Sequence, residues 1–171
     1  MKYFNGFSLK NEETFFKEYI VPTEQTVSGF SYGAIEAFEY AYASTQRVDK
    51  LILLSPAFFQ TESNEFKENQ LTYFEQNNKV YVKTFLRNVT FPSKVKLTPY
   101  LNIGTKEQLE ELMFYVWDKE KLKELINRGV TIEVFLGDKD KIINHQEALS
   151  FFKSVGCTIY ILKNYGHILG E

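Results

Sequence analysis

The chain of 171 residues has a single cysteine, Cys157, so no disulfide can form within it. That suits a reducing compartment. No run of about 18 apolar residues is present, which excludes a hydrophobic membrane-spanning helix. The opening stretch, MKYFNGFSLKNEETFF, lacks the apolar run of about 7–15 residues and the small-residue cleavage site of a secretory signal, so the expected location is the cytoplasm. The excess of acidic over basic side chains is only two, for a net charge of −2, and bulk charge therefore gives no reason to expect nucleic acid. Histidine is scarce: His145 and His167 are the only two, so any histidine chemistry must use one of them. What is abundant is aromatic: 16 Phe and 11 Tyr in a chain that is 44% hydrophobic and 25% charged. Those are the proportions of a globular protein, and the length suits one domain with a single core.

Proline and glycine divide the chain into elements. KYFNGFSL reads as a short strand running into a loop. NEETFFKEYI, residues 11–20, has acidic residues in its first turn and reads as helix, stopped by Pro22. QTVSGFS is a short apolar run ending in a glycine corner. Residues 32–45 place Ile35, Phe38 and Tyr42 at a helical period. KLILLSPAFF, residues 50–59, is a continuous apolar run closed by Pro56, as for a strand buried on both faces. Residues 130–136 give another strand, ending at Gly137; HQEALSFFKSVG gives a helix and CTIYILKN a last strand. This alternation implies a parallel sheet covered by helices. Residues 60–128 break the rhythm with helices over 62–77, 79–89, 105–117 and 118–128. They read as a helical cap inserted into a core made of residues 1–59 and 129–171.

Gly29-Phe30-Ser31-Tyr32-Gly33 follows a strand and opens a helix. A G-x-S-x-G match arises by chance in about one chain in twenty of this length, given glycine and serine usage of roughly 7% each. Its context is what a nucleophile elbow requires: the glycines let strand and helix approach, and the serine stands at the C-terminal edge of the sheet. The plain alternative is a strand-to-helix turn in which Ser31 caps the helix. A serine nucleophile needs a base, and the base an orienting acid. His167 lies in a loop after the last strand, at the same sheet edge; His145, near a helix start, is the competing base. Asp138 and Asp140 both lie at the end of the preceding strand, in VFLGDKDKII. The order Ser, Asp, His is that of α/β-hydrolases. A tetrahedral intermediate needs backbone donors, and Tyr32, directly after the serine, supplies one.

On these residues the chain resembles the α/β-hydrolase superfamily over nearly its whole length. The resemblance implies a trimmed form of that fold: a mostly parallel sheet of about five strands, with the cap ahead of the acid-bearing strand. Measured against the family the chain is short. It opens on what is there the third strand, and four residues follow His167. The family pattern Gly-x-x-Asp-x-x-apolar fits Gly137 to Ile143 with Asp140 as the acid and Asp138 as a turn residue. NGFS resembles the family's His-Gly-aromatic-Gly loop, with Asn5 and Ser8 as departures, and implies Phe7 as the second N–H donor. Neither cofactor nor metal is implied. Among trimmed forms, the length, the opening NGFSLK and the elbow resemble the short bacterial pimeloyl-acyl-carrier-protein methyl ester carboxylesterases of biotin synthesis. That implies a carrier-bound pimeloyl methyl ester as substrate and an acyl-carrier protein as partner. A general small-molecule esterase or thioesterase would use the same triad without a carrier. A hydrolase-fold binding protein without activity is the non-enzyme reading, and an intact triad speaks against it.

Five cations, Lys79, Lys83, Arg87, Lys94 and Lys96, fall within 18 residues that contain no Asp or Glu. Lys79, Lys83 and Arg87 recur every fourth residue and form one stripe of a helix. Val80, Val82, Phe85, Leu86 and Val89 make its apolar side. A solvated helix face accounts for such a stripe, and so does docking of an acidic partner such as a carrier protein. A short stripe on a net-negative chain is a poor footprint for nucleic acid.

Overall fold

A computed structural model describes residues 1–170. Five strands, β1 (Lys2–Phe4), β2 (Thr26–Phe30), β3 (Lys50–Leu54), β4 (Thr131–Gly137) and β5 (Thr158–Leu162), lie side by side in chain order. Every pairing is parallel, as the alternation of elements predicts. Leu51 to Leu54 and Val134 to Leu136 are buried, because the central strands are covered on both faces. Six helices connect them: α1 (Tyr32–Ala43), α2 (Asn64–Gln76), α3 (Asn78–Thr90), α4 (Lys106–Phe114), α5 (Lys119–Asn127) and α6 (His145–Val155). Side-chain caps fix several starts. Asp118 accepts from the Glu120 and Lys121 amides, Asn144 from those of Gln146 and Glu147, and Thr105 forms a capping box with Gln108.

The strands are added in one direction, so crossovers of one hand place α1, α5 and α6 together on one face. These helices do pack on one another, α5 against both α1 and α6. The opposite face is covered by the connection from β1 to β2. There Phe16 packs on Phe30 and on Tyr3, and Tyr19 on Phe135, their ring centroids 4.8, 6.5 and 5.2 Å apart. That connection therefore runs with the opposite hand to the others. It also departs from the predicted helix over 11–20: only a 3₁₀ turn, Glu12–Phe16, forms. Asn11 takes a left-handed conformation and its side chain caps nothing, while Phe16, Tyr19 and Ile20 are spread over the sheet.

The helical segment between β3 and β4 divides in two. α2 packs against α3 and α4. α5 instead joins the sheet-covering layer, with Leu122 and Leu125 buried, Lys121 paired with Glu39 and Tyr42 hydrogen-bonded to Glu124. It is the crossover helix that delivers the chain into β4.

The elbow explains its two glycines. A Cβ on Gly29 would lie inside van der Waals contact of the Gly33 carbonyl, and one on Gly33 inside that of the Phe4 and Asn5 carbonyls. All of these obstacles are backbone and cannot rotate away. Gly33→Ala is therefore expected to cost about 3 kcal/mol, the upper part of the range for overpacking. In a chain of this size that lowers Tm by roughly 6–12 °C, readable by circular dichroism.

Candidate active site

Ser31 is held between β2 and α1 at φ 55° and ψ −114°, a backbone conformation that non-glycine residues rarely take. Its amide donates to the Leu54 carbonyl at 2.9 Å, and its own carbonyl accepts from Ala57 at 3.1 Å. Both ties fix the elbow to the end of β3. The side chain then faces His167, with Oγ and Nε2 2.9 Å apart. On the far side of the ring, Nδ1 lies 2.6 Å from Asp140 Oδ2. A carboxylate there keeps the proton on Nδ1, so Nε2 presents a lone pair to the serine hydroxyl. The remaining Asp140 oxygen accepts the Ile142 and Ile143 amides at 2.7 and 3.1 Å, which locks the carboxylate's direction.

The competing residues lie elsewhere. Asp138 accepts the Asn164 amide at 2.7 Å and ties β4 to the loop after β5. His145 is the first residue of α6. Two further supports carried no signal in the sequence. The Ser55 hydroxyl donates to the His167 carbonyl at 2.7 Å, and the Phe30 ring lies 5.1 Å from the imidazole. Ser55 had appeared only as the end of an apolar strand, and Phe30 as the variable residue of the elbow.

The amides of Phe7 and Tyr32 donate to no acceptor among the described residues. That of Tyr32 is one of the unpaired donors of a helix's first turn. The Tyr32 hydroxyl donates to Glu111 at 2.6 Å and so fastens the elbow to α4. Burial, then this carboxylate, raise the phenol well above its ordinary pKa. The triad is shut away from solvent: Ser31 is 3% exposed and His167 0%. The Phe7 ring packs on Phe74 of α2 and Phe85 of α3.

A cleft of about 560 Å³ runs between α2, α3 and the loop after Asp140, lined by Phe59, Tyr73, Tyr81, Phe85, Met113 and Ile142 among others. Lys141 is its one charged lining residue. The basic stripe lies on the other flank of α3. Lys79, Lys83 and Arg87, with Lys96, rim a separate groove of about 680 Å³ floored by Leu86, Leu97 and Ile103. Lys94 is not among its lining residues. None of the five cations is paired with a carboxylate among the described residues. Val80, on the apolar side of the helix, is 59% exposed and lines the cleft.

Among the described residues no group of three or more His, Cys, Asp and Glu side chains is placed to hold a metal, and no helix is long and apolar enough to cross a membrane. No protein-family model and no curated protein matches the sequence. Solved structures do. An esterase from Exiguobacterium antarcticum superposes with a TM-score of 0.67 at 17% identity, over 83% of this chain and 59% of its own. Naproxen esterase from Bacillus subtilis gives 0.59 at 22% identity, over 84% and 53%. MenH from S. aureus gives 0.62 at 14% identity, over 96% and 85%. The chain thus spans little more than half the length of those two esterases. With its parallel sheet, its elbow serine and a hydrogen-bonded Ser31–His167–Asp140 triad, the chain has the α/β-hydrolase fold and the catalytic constellation of a serine hydrolase.

Proposed function

We propose that the protein is a serine esterase acting on carboxylic esters with an apolar acyl chain. The observation that carries this reading is the continuous hydrogen-bond chain from Ser31 Oγ through His167 to Asp140. Ser31 Oγ attacks the ester carbonyl carbon while His167 Nε2 takes its proton. The carbonyl oxygen becomes an oxyanion and receives the N–H groups of Phe7 and Tyr32. His167 then returns the proton to the departing alkoxide, which leaves as an alcohol, and the acyl group stays on Ser31. Water attacks the acyl-enzyme as Nε2 takes its proton; the bond to Ser31 Oγ then breaks, Nε2 returns the proton to Oγ, and the carboxylic acid is released. The aromatic cleft takes the acyl chain, each buried CH₂ contributing roughly 0.8 kcal/mol.

The finer reading is a methyl ester of a pimeloyl chain carried on an acyl-carrier protein, cleaved to methanol and the free carrier-bound acid. The observation in its favour is the exposed, unpaired cation row on α3, complementary to an acidic partner. The groove that this row rims and the acyl cleft flank the same helix, so a tethered chain has to cross about 10 Å, one helix diameter. The test compares two substrates. Reversal of Lys79, Lys83 and Arg87 to Glu should lower kcat/KM for the carrier-bound methyl ester about tenfold or more. The effect should shrink between about 0.05 and 0.5 M salt, because steering is screened. Hydrolysis of p-nitrophenyl butyrate should hardly change. Equal loss on both substrates makes the stripe structural. No loss on either leaves the general esterase as the better reading.

A further inference from the structure

We propose that Glu12 is the positioning residue of the oxyanion loop: its buried carboxylate holds the Gly6 N–H and thereby aims the N–H of Phe7 at the ester's carbonyl oxygen. This rests on the esterase reading above and adds to the triad a fourth side chain that never touches the substrate.

Glu12 is 0% exposed. Its Oε1 accepts the Gly6 amide at 2.6 Å and the Tyr3 hydroxyl at 3.1 Å, while Oε2 has no partner. Burial pushes this carboxyl above the ordinary glutamate range, and the Gly6 N–H pulls against that shift. A buried carboxylate with one oxygen unsatisfied is a poor device for stability alone, since an apolar side chain of similar volume avoids the desolvation. What it does supply is direction. Residues 5–8 belong to no helix or strand, and Gly6 has two soft dihedrals. The peptide before Gly6 is held by Glu12. The peptide after it is held through the Gly6 carbonyl, which accepts from Leu9 at 3.0 Å. With both planes fixed, neither dihedral of Gly6 remains free. Peptide planarity then points the Phe7 N–H opposite to the Gly6 carbonyl, and no protein acceptor takes it. The other ties of the loop act on its flanks: Asn5 Oδ1 accepts from Asn11 at 2.9 Å, Ser8 Oγ from Gly104 at 3.0 Å, and the Ser8 carbonyl from Asn102 at 2.9 Å.

The experiment uses Glu12→Ala, Glu12→Met, which keeps the volume without an acceptor, and Glu12→Gln, whose Oε1 keeps both contacts. With p-nitrophenyl butyrate, Ala and Met should lower kcat about 30–300-fold and leave KM within about threefold, as for a lost oxyanion donor. Gln should recover to within about fivefold of wild type. Affinity for a trifluoromethyl ketone, whose hemiketal oxyanion occupies the hole, should fall in parallel with kcat, while affinity for an uncleaved amide analogue stays level. If the Ala variant does not fold, the Met variant carries the test. Variants that lose Tm but keep kcat and ketone affinity overturn the proposal and leave the esterase reading standing. Wild-type protein that cleaves no ester and takes no fluorophosphonate label overturns both.

Discussion

Ser31→Ala is expected to abolish ester hydrolysis, with kcat lowered by about 10⁴–10⁶-fold. The hydroxyl's partner is the lone pair of His167 Nε2, so the substitution removes the nucleophile and leaves one buried acceptor unpaired. Alanine carries the same backbone through the elbow that serine does. Stability should therefore fall by about 1–3 kcal/mol, the cost of that unpaired acceptor, and the fold should be kept. Fluorophosphonate labelling should vanish in the variant and be present in the native protein. Turnover within about tenfold of wild type would sink the assignment of Ser31 as nucleophile.

The second large effect separates the two aspartates and the two histidines. His167→Ala should cost about 10⁶-fold in kcat and Asp140→Asn about 10⁴-fold. The asparagine variant is informative because its oxygen can still accept the Ile142 and Ile143 amides, so the loop stays in place. Its NH₂ group, turned towards His167, donates to Nδ1 and drives the ring proton to Nε2. The imidazole then has no lone pair for Ser31. Asp138→Asn and His145→Ala lie outside this chain of bonds and should change kcat by less than about threefold. Kinetics on one small ester, with Tm measured for each variant, decides between the pairs. A damaging Asp138→Asn would move the acid two residues towards β4.

The serine, histidine and aspartate were legible because each sits where an apolar run stops. Gly29 and Gly33 bracket one strand end, Gly137 marks another, and His167 follows the last. The order of strands and helices was legible for the same reason. What escaped notice is held by contacts between distant parts of the chain. Glu12 looked like an acid in the first turn of a helix, yet it turns inward to an amide six residues back. Ser55 supports His167 from 112 residues away, with nothing in its neighbours to mark it. The helix α5 has the sequence of its neighbours in the helical segment, and only its packing on α1 and α6 assigns it to the sheet. The cation row was plain in sequence, but a linear pattern could not say that it faces away from the aromatic cleft.

The few residues around His167 are stitched to the earlier chain in three places. The Tyr19 hydroxyl reaches the Leu169 carbonyl at 2.9 Å, Ser55 reaches that of His167, and the Ile168 amide donates to Val89 at the end of α3 at 3.2 Å. Tyr19, Ser55 and Val89, far apart in the chain, are thus joined at one short loop. The serine meets its base only when this loop docks, so a chain with the loop undocked lacks the Ser31–His167 bond. Contacts of such sequence separation form late and slowly. Recovery of esterase activity in a refolding experiment should therefore trail the return of helical circular dichroism, reporting when the His167 loop has docked.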